Sequence, residues 1–124
     1  MARILIVDDD PDTRDLIRDL LSQRGYQLDE AANGLEALEK IKKNSYDLVI
    51  LDRAMPRMTG LQVLDKLRAA AADIKPKIIM CTSSGLMKQV DEAFRCGADD
   101  YISKPLDLEL LVKKVARHVK PSAA

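Results

Sequence analysis

Five short apolar runs alternate with five helix-length amphipathic stretches along this chain, and few folds accept that rhythm. The runs fall at residues 3–7, 27–31, 47–51, 77–81 and 100–102. Strands of this length separated by helical patterns build βαβ units, with right-handed crossovers and a parallel sheet. DLVIL at 47–51 is apolar on both faces, as a central strand covered by helices on each side requires. QLDEA at 27–31 carries Asp29 and Glu30 and belongs near an edge. The expected fold is α/β, a doubly wound five-stranded parallel sheet with five helices. Connection rules alone leave the strand order open. Order 2-1-3-4-5 is one of the two common solutions, and it puts a switch point between the first and third strands.

The helices carry their own punctuation. Pro11 and Asp12 open the first, which runs to about Arg24 with Leu16, Ile17, Leu20 and Leu21 on one face, and Gly25 closes it. Asn33 caps the second, which turns Leu35, Leu38 and Ile41 inward. Thr59 caps the third, with Leu61, Leu64 and Leu67 facing in, and the alanine-rich Ala69–Ala72 and Pro76 lead to the fourth strand. The fourth helix spans about 86–95 and ends at Gly97. The last runs from Leu106 to Val119 and buries Leu108, Leu111, Val112 and Val115. Residues 1–120 then make one domain, and 121–124 a frayed tail or the start of a linker.

Charge and composition exclude several classes. The 20 basic and 20 acidic residues cancel, with 9 and 12 in residues 1–62 against 11 and 8 in 63–124. There is no basic stripe and no aromatic stacking platform, so no nucleic-acid footprint. Apolar stretches reach about five residues against the ~20 that span a bilayer, which argues against a membrane segment. Asp8 interrupts the first run too early for a signal peptide. Cys81 and Cys96 read as free thiols, and the expected location is the reducing cytoplasm.

Four runs end in groups suited to phosphoryl chemistry. Residues 3–7 lead into Asp8-Asp9-Asp10, residues 48–51 into Asp52, residues 78–81 into Thr82, and residues 101–103 into Lys104. Parallel sheets build their sites at the carboxyl ends of strands, so these groups converge. Clustered carboxylates repel and raise one another's pKa. A hard divalent cation relieves this, and Mg2+ suits a site of few carboxylates, waters and a phosphate. Asp52 is a candidate nucleophile that would give an acyl phosphate. Lys104 could pair with one phosphoryl oxygen and Thr82 hydrogen-bond another, with the backbone amides of Arg53 and Ser83 as further donors. Taken singly, a strand-end Asp is a turn residue and a Lys before Pro a solvated one; Asp10 and Asp12 read as helix N-terminal acids. Taken together, four groups at the same end of four strands point to one site.

The segments ILIVDDDPDTR, DLVILDRAMPRMTG, IIMCTSS and GADDYISKP together resemble the response-regulator receiver domain, over residues 2–120. The resemblance implies a flavodoxin-like fold and a two-component phosphorelay role, with Asp52 as phosphoacceptor. It implies Mg2+ held by Asp8, Asp9, Asp52 and the backbone carbonyl of Ala54, with Asp9 the closer of the two N-terminal ligands. Thr82 would be the switch hydroxyl, Lys104 the phosphoryl-pairing lysine, Tyr101 the rotating aromatic, and Lys104–Pro105 a cis bond. The donor would be a sensor histidine kinase or phosphotransfer protein. Output would go to a partner or domain through the surface of the fourth helix, fifth strand and fifth helix, which also serves as a homodimer face in relatives. Such a domain catalyses only its own phosphorylation and dephosphorylation.

Other positions read as follows. Ala54 and Ser84 are small and line the approach to the phosphoryl group; neither can position a water. Leu106 stands where many relatives have phenylalanine. Arg53 and Arg57 either face a phosphodonor or are solvated. His118 reads as a solvated surface residue, and Met55, Met58 and Met87 as packing. The rivals are weaker. A haloacid-dehalogenase-like phosphatase wants D-x-D-x-[TV] after its first strand, and neither Asp8–Asp12 nor Asp10–Arg14 fits. A flavin binder wants a hydroxyl- and glycine-rich loop where this chain has acids that repel phosphate. A phosphorylation-independent receiver-like interaction module would lack a site residue, and none is missing.

Overall fold

Leu48–Asp52 (β3) is buried at every position and is paired on both sides, which makes it the centre of the sheet. The computed structural model describes residues 2–69, 76–83 and 87–121. The other strands are Arg3–Val7 (β1), Gln27–Ala31 (β2), Lys77–Thr82 (β4) and Asp100–Ser103 (β5). The helices are Pro11–Ser22 (α1), Gly34–Lys43 (α2), Gly60–Ala69 (α3), Met87–Arg95 (α4) and Leu108–His118 (α5). The sheet runs β2-β1-β3-β4-β5 and every pairing is parallel.

Alternate strand residues feed two separate cores. Leu5, Val7, Val49, Leu51, Ile78 and Met80 pack with Ala37, Val63, Leu64 and Ala93, so α2, α3 and α4 cover that face. Ile4, Ile6, Leu48, Ile50, Ile79 and Cys81 pack with Ile17, Leu21, Leu111 and Val115 of α1 and α5 on the other. Each fully buried Leu or Ile contributes about 1.5–3 kcal/mol, so the sheet is held from both sides. Among the described residues, no helix is long and apolar enough to cross a membrane.

The caps follow from local chemistry. Asp10, not a residue inside α1, is its N-cap: its carboxylate accepts from the Asp12 amide and the Thr13 hydroxyl. Asn33 accepts from the Glu36 amide at 2.8 Å. Thr59 and Gln62 form a reciprocal capping box, at 3.2 and 2.9 Å. Gly97 has φ of 107°, a conformation that favours glycine.

Several helix expectations need correction. Leu16 is 47% and Leu35 59% exposed. The inward stripe of α1 is Ile17 and Leu21, four residues apart, with Leu20 packed beside them, and Leu16 lies outside it. In α2, Leu38 and Ile41 pack against the core as expected and Gly34 sits so tightly that a Cβ would lie 2.8 Å from Val63 Cγ2 and 2.9 Å from Met58 Sδ, while Leu35 beside it is exposed. In α3 the inward set holds, with Leu64 buried and Leu61 and Leu67 packed against the same core, and Val63 joins it. Leu108 and Val112 are half-buried. α1 stops at Ser22, and α5 starts at Leu108 behind an Asp107 N-cap. Residues 70–72 of the alanine-rich segment, Ser84, residue 86, the Met87 side chain and tail residues 122–124 lie outside the described residues.

Candidate functional site

Strand register assembles the site. Val7 pairs with Leu51, Asp52 with Cys81, and Thr82 with Ser103, so Asp8, Asp52, Thr82 and Lys104 emerge from one end of the sheet. Asp8 and Asp52 are buried, while Asp9 is exposed. Carboxylate oxygens of Asp8, Asp9 and Asp52 lie within 4.8 Å of one another. Lys104 Nζ donates to Asp8 Oδ2 at 2.9 Å and lies 3.4 Å from Asp52 Oδ1.

The electrostatics are unbalanced at Asp52. Burial and then the Asp8 charge push its carboxyl up to about 6, with Lys104 opposing. Burial works against the Lys104 ammonium, but its bond to Asp8 and the charges of Asp52 and Asp8 outweigh this and raise its pKa. One lysine serves two buried acids. A divalent cation fits this donor set, because it neutralises the carboxylates together and satisfies oxygens that one ammonium cannot.

Local backbone fixes the acids. The Asp10 amide donates to Asp8 Oδ1 at 2.9 Å, and Arg14 Nη1 donates to the Asp8 carbonyl at 2.6 Å. Gly60, missed in the sequence, is demanded by the site: a Cβ there would lie 2.4 Å from the Asp52 carbonyl oxygen. Its amide donates to the Arg53 carbonyl at 2.9 Å, folding the 53–59 loop over the strand end. The Thr-Gly pair opening α3 was the available signal. The Lys104–Pro105 peptide is cis, and the Lys104 amide donates to the Thr82 carbonyl at 2.7 Å.

One donor was misassigned. The Arg53 amide donates to the Cys81 carbonyl at 2.8 Å, because the β3–β4 ladder continues through Asp52. The amide that reaches the Asp52 carboxylate is that of Ala54, at 3.3 Å from Oδ1.

The arginine and histidine readings also change. The Arg53 side chain is not solvated: Nη2 pairs with Glu92 Oε1 at 2.5 Å and Nη1 donates to the Gln89 carbonyl at 3.3 Å. Arg57 is exposed, with φ of 71°. Met55 is buried and Met58 packs against the core. His118 is largely covered, with Nε2 3.0 Å from Asp100 Oδ2. Its four-residue spacing from Lys114 puts both on one face of α5 over the start of β5. Lys114 Nζ donates to Asp100 Oδ1 at 3.0 Å and to the Tyr101 carbonyl at 2.5 Å, and lies 4.5 Å from the Tyr101 ring centroid. Tyr101 is half-buried and edge-on to Phe94 at 6.1 Å. The Thr82 hydroxyl donates to Gln89 Oε1 at 3.3 Å.

The family model for the response regulator receiver domain matches residues 4–116. The chain belongs to the response-regulator receiver family. The receiver is 39% identical to the chemotaxis protein CheY of Bacillus subtilis over 114 residues, 91% of this chain and 93% of that one. It is 38% identical to the response regulator MprA of Mycobacterium leprae, over 98% of this chain but 54% of that protein, so it spans about half the length of such regulators. Among solved structures, CheY4 of Vibrio cholerae superposes with a TM-score of 0.89 at 33% identity, covering 96% of this chain and 99% of that one. TrrA of Thermotoga maritima, in complex with Mg2+ and BeF, superposes at 0.84 with 39% identity, covering 96% and 100%. Receivers of this family are signalling domains of two-component systems.

Proposed function

We propose that this receiver accepts a phosphoryl group on Asp52 in an Mg2+-dependent reaction and signals through the surface formed by α4, β5 and α5. The observation that carries the reading is the cluster of Asp8, Asp9, Asp52 and Lys104, in which two buried carboxylates share one lysine. Asp8, Asp9, Asp52 and the Ala54 carbonyl would hold Mg2+, which supplies charge neutralisation of the phosphoryl oxygens. An Asp52 carboxylate oxygen attacks phosphorus in line; the bond to the donor's leaving atom breaks and that atom keeps the electron pair. Lys104 leaves its place between the two acids to pair with a phosphoryl oxygen. The Ala54 and Ser83 amides and the Thr82 hydroxyl donate to the others. Thr82 moving inward lets Tyr101 follow, and the phosphoryl group works by binding this state better than the resting one.

The donor is a sensor histidine kinase or phosphotransfer protein, and the setting is cytoplasmic. The output partner is a separate protein or domain, with homodimerisation through the same surface as one route. The BeF complex of the TrrA relative supports a site of this chemistry in the shared fold. The test is acetyl phosphate with Asp52→Asn. Wild type is expected to gain one hydroxylamine-labile phosphoryl group and the variant none while remaining folded. Labelling that survives in the variant would place the nucleophile elsewhere.

A further inference from the structure

Three contacts outside the acidic cluster converge on the first turns of α4. The Thr82 hydroxyl donates to the Gln89 side chain at 3.3 Å. Arg53, next to the phosphoacceptor, donates to the Gln89 carbonyl at 3.3 Å and pairs with Glu92 at 2.5 Å. The Arg53 side chain is 18% exposed and that of Glu92 45%, so the pair is covered on the loop side and open to solvent on the helix side. Two strand ends of the site, β3 and β4, therefore grip one helix.

We infer that Gln89, backed by the Arg53–Glu92 bridge, is a positioning residue that holds the Thr82 hydroxyl in its resting place and so sets how readily the site takes a phosphoryl group. The inference rests on the proposed phosphorylation of Asp52 and adds what opposes it. A threonine hydroxyl has one proton to donate. Given to Gln89 Oε1, that proton is not available to a phosphoryl oxygen on Asp52. Gln89 and the phosphoryl group are competitors for it, and the competent state is populated only when Gln89 lets go. The Arg53 bridge keeps Gln89 within reach, because it ties the α4 backbone at the same residue to the loop after Asp52. Apparent affinity for a phosphoryl mimic scales with the fraction of molecules in the competent state.

The probe is Mg2+ with beryllofluoride, titrated calorimetrically into the whole chain. Gln89→Ala and the near-isosteric Gln89→Met both remove the amide acceptor, and the second leaves the space filled. Each is expected to bind beryllofluoride roughly fivefold more tightly than wild type, the ratio one ordinary hydrogen bond sustains. In a Thr82→Ala background the same substitutions are expected to change affinity by less than about twofold, since the competitor has lost its target. Glu92→Gln, which weakens the bridge but keeps its shape, is expected to tighten binding by roughly twofold. Unchanged or weaker binding in both Gln89 variants overturns the inference, as does an equal gain with and without Thr82. Wild type that binds no beryllofluoride overturns the phosphoryl-site reading and this inference with it.

Discussion

Asp52 and Asp100 are each buried beside a lysine, and their carboxyl groups are driven in opposite directions. Asp52 is 4% exposed and pushed up to about 6. Asp100 is 7% exposed, and burial also acts to raise it, yet hydrogen bonds from Lys114 and His118 and from the Tyr101 amide bring it below its ordinary value. The difference is stoichiometry. Lys104 divides itself between Asp8 and Asp52, so charge is left over. At Asp100 the ratio is reversed: Lys114, His118 and Arg117 lie within 3.7 Å of one carboxylate. Burial alone marks neither role. A carboxylate with too little compensation suits the proposed cation and phosphoryl group; one with ample compensation ties β5 to α5.

Substitution should separate the two sites by sign. Asp100→Ala takes from Lys114 its carboxylate partner, leaving it only the Tyr101 carbonyl and ring, and is expected to cost about 3 kcal/mol, read as a lowered midpoint in urea. Asp52→Asn removes an under-compensated charge. In chelator at pH 8 it is expected to stabilise the fold by about 2 kcal/mol, because burial and the Asp8 charge hold that carboxyl up to about 6 against the partial help of Lys104. A destabilised Asp52→Asn, or an Asp100→Ala as stable as wild type, would erase the contrast.

The pH dependence sharpens it. Asp52 holds its proton more tightly folded than unfolded, so its contribution to stability falls as pH rises from about 4 through about 6 and is level above. The advantage of Asp52→Asn should therefore vanish by about pH 4. Asp100 behaves in the opposite way: its contribution is whole above the unfolded carboxylate value of about 3.9 and is lost as pH falls through the lower folded value. The smallest effect belongs to His118→Ala, expected to cost about 1 kcal/mol, because Lys114 still serves Asp100.

How much of this could be read in advance divides along physical lines. The parallel sheet and its acidic end were legible because parallel strands project their following residues to one edge, and the apolar runs marked where each strand stops; the strand order was left open by the connection rules. Asp100–His118 was not, because that contact depends on how α5 lies across β5; only the four-residue spacing of Lys114 and His118 hinted at it. Leu16 and Leu35 misled because an apolar residue beside the buried stripe matches the same periodicity. The exchange of the Arg53 amide for that of Ala54 turned on whether β3 ends at Leu51 or Asp52, a one-residue shift that apolar content does not encode. Gln89 and Glu92 carry no signal of their own in the sequence, and acquire one only where Arg53 and Thr82 lie against them.

The most direct measurement is a carboxyl-carbon NMR titration of the aspartates, run in chelator and again with saturating Mg2+. Asp52 is expected to titrate near 6 without metal and to fall with Mg2+, while Asp100 titrates below the ordinary aspartate range in both. An Asp52 that titrates with ordinary aspartates and ignores Mg2+ would contradict the account, because the site would then lack the charge imbalance on which metal and phosphoryl binding are argued to depend.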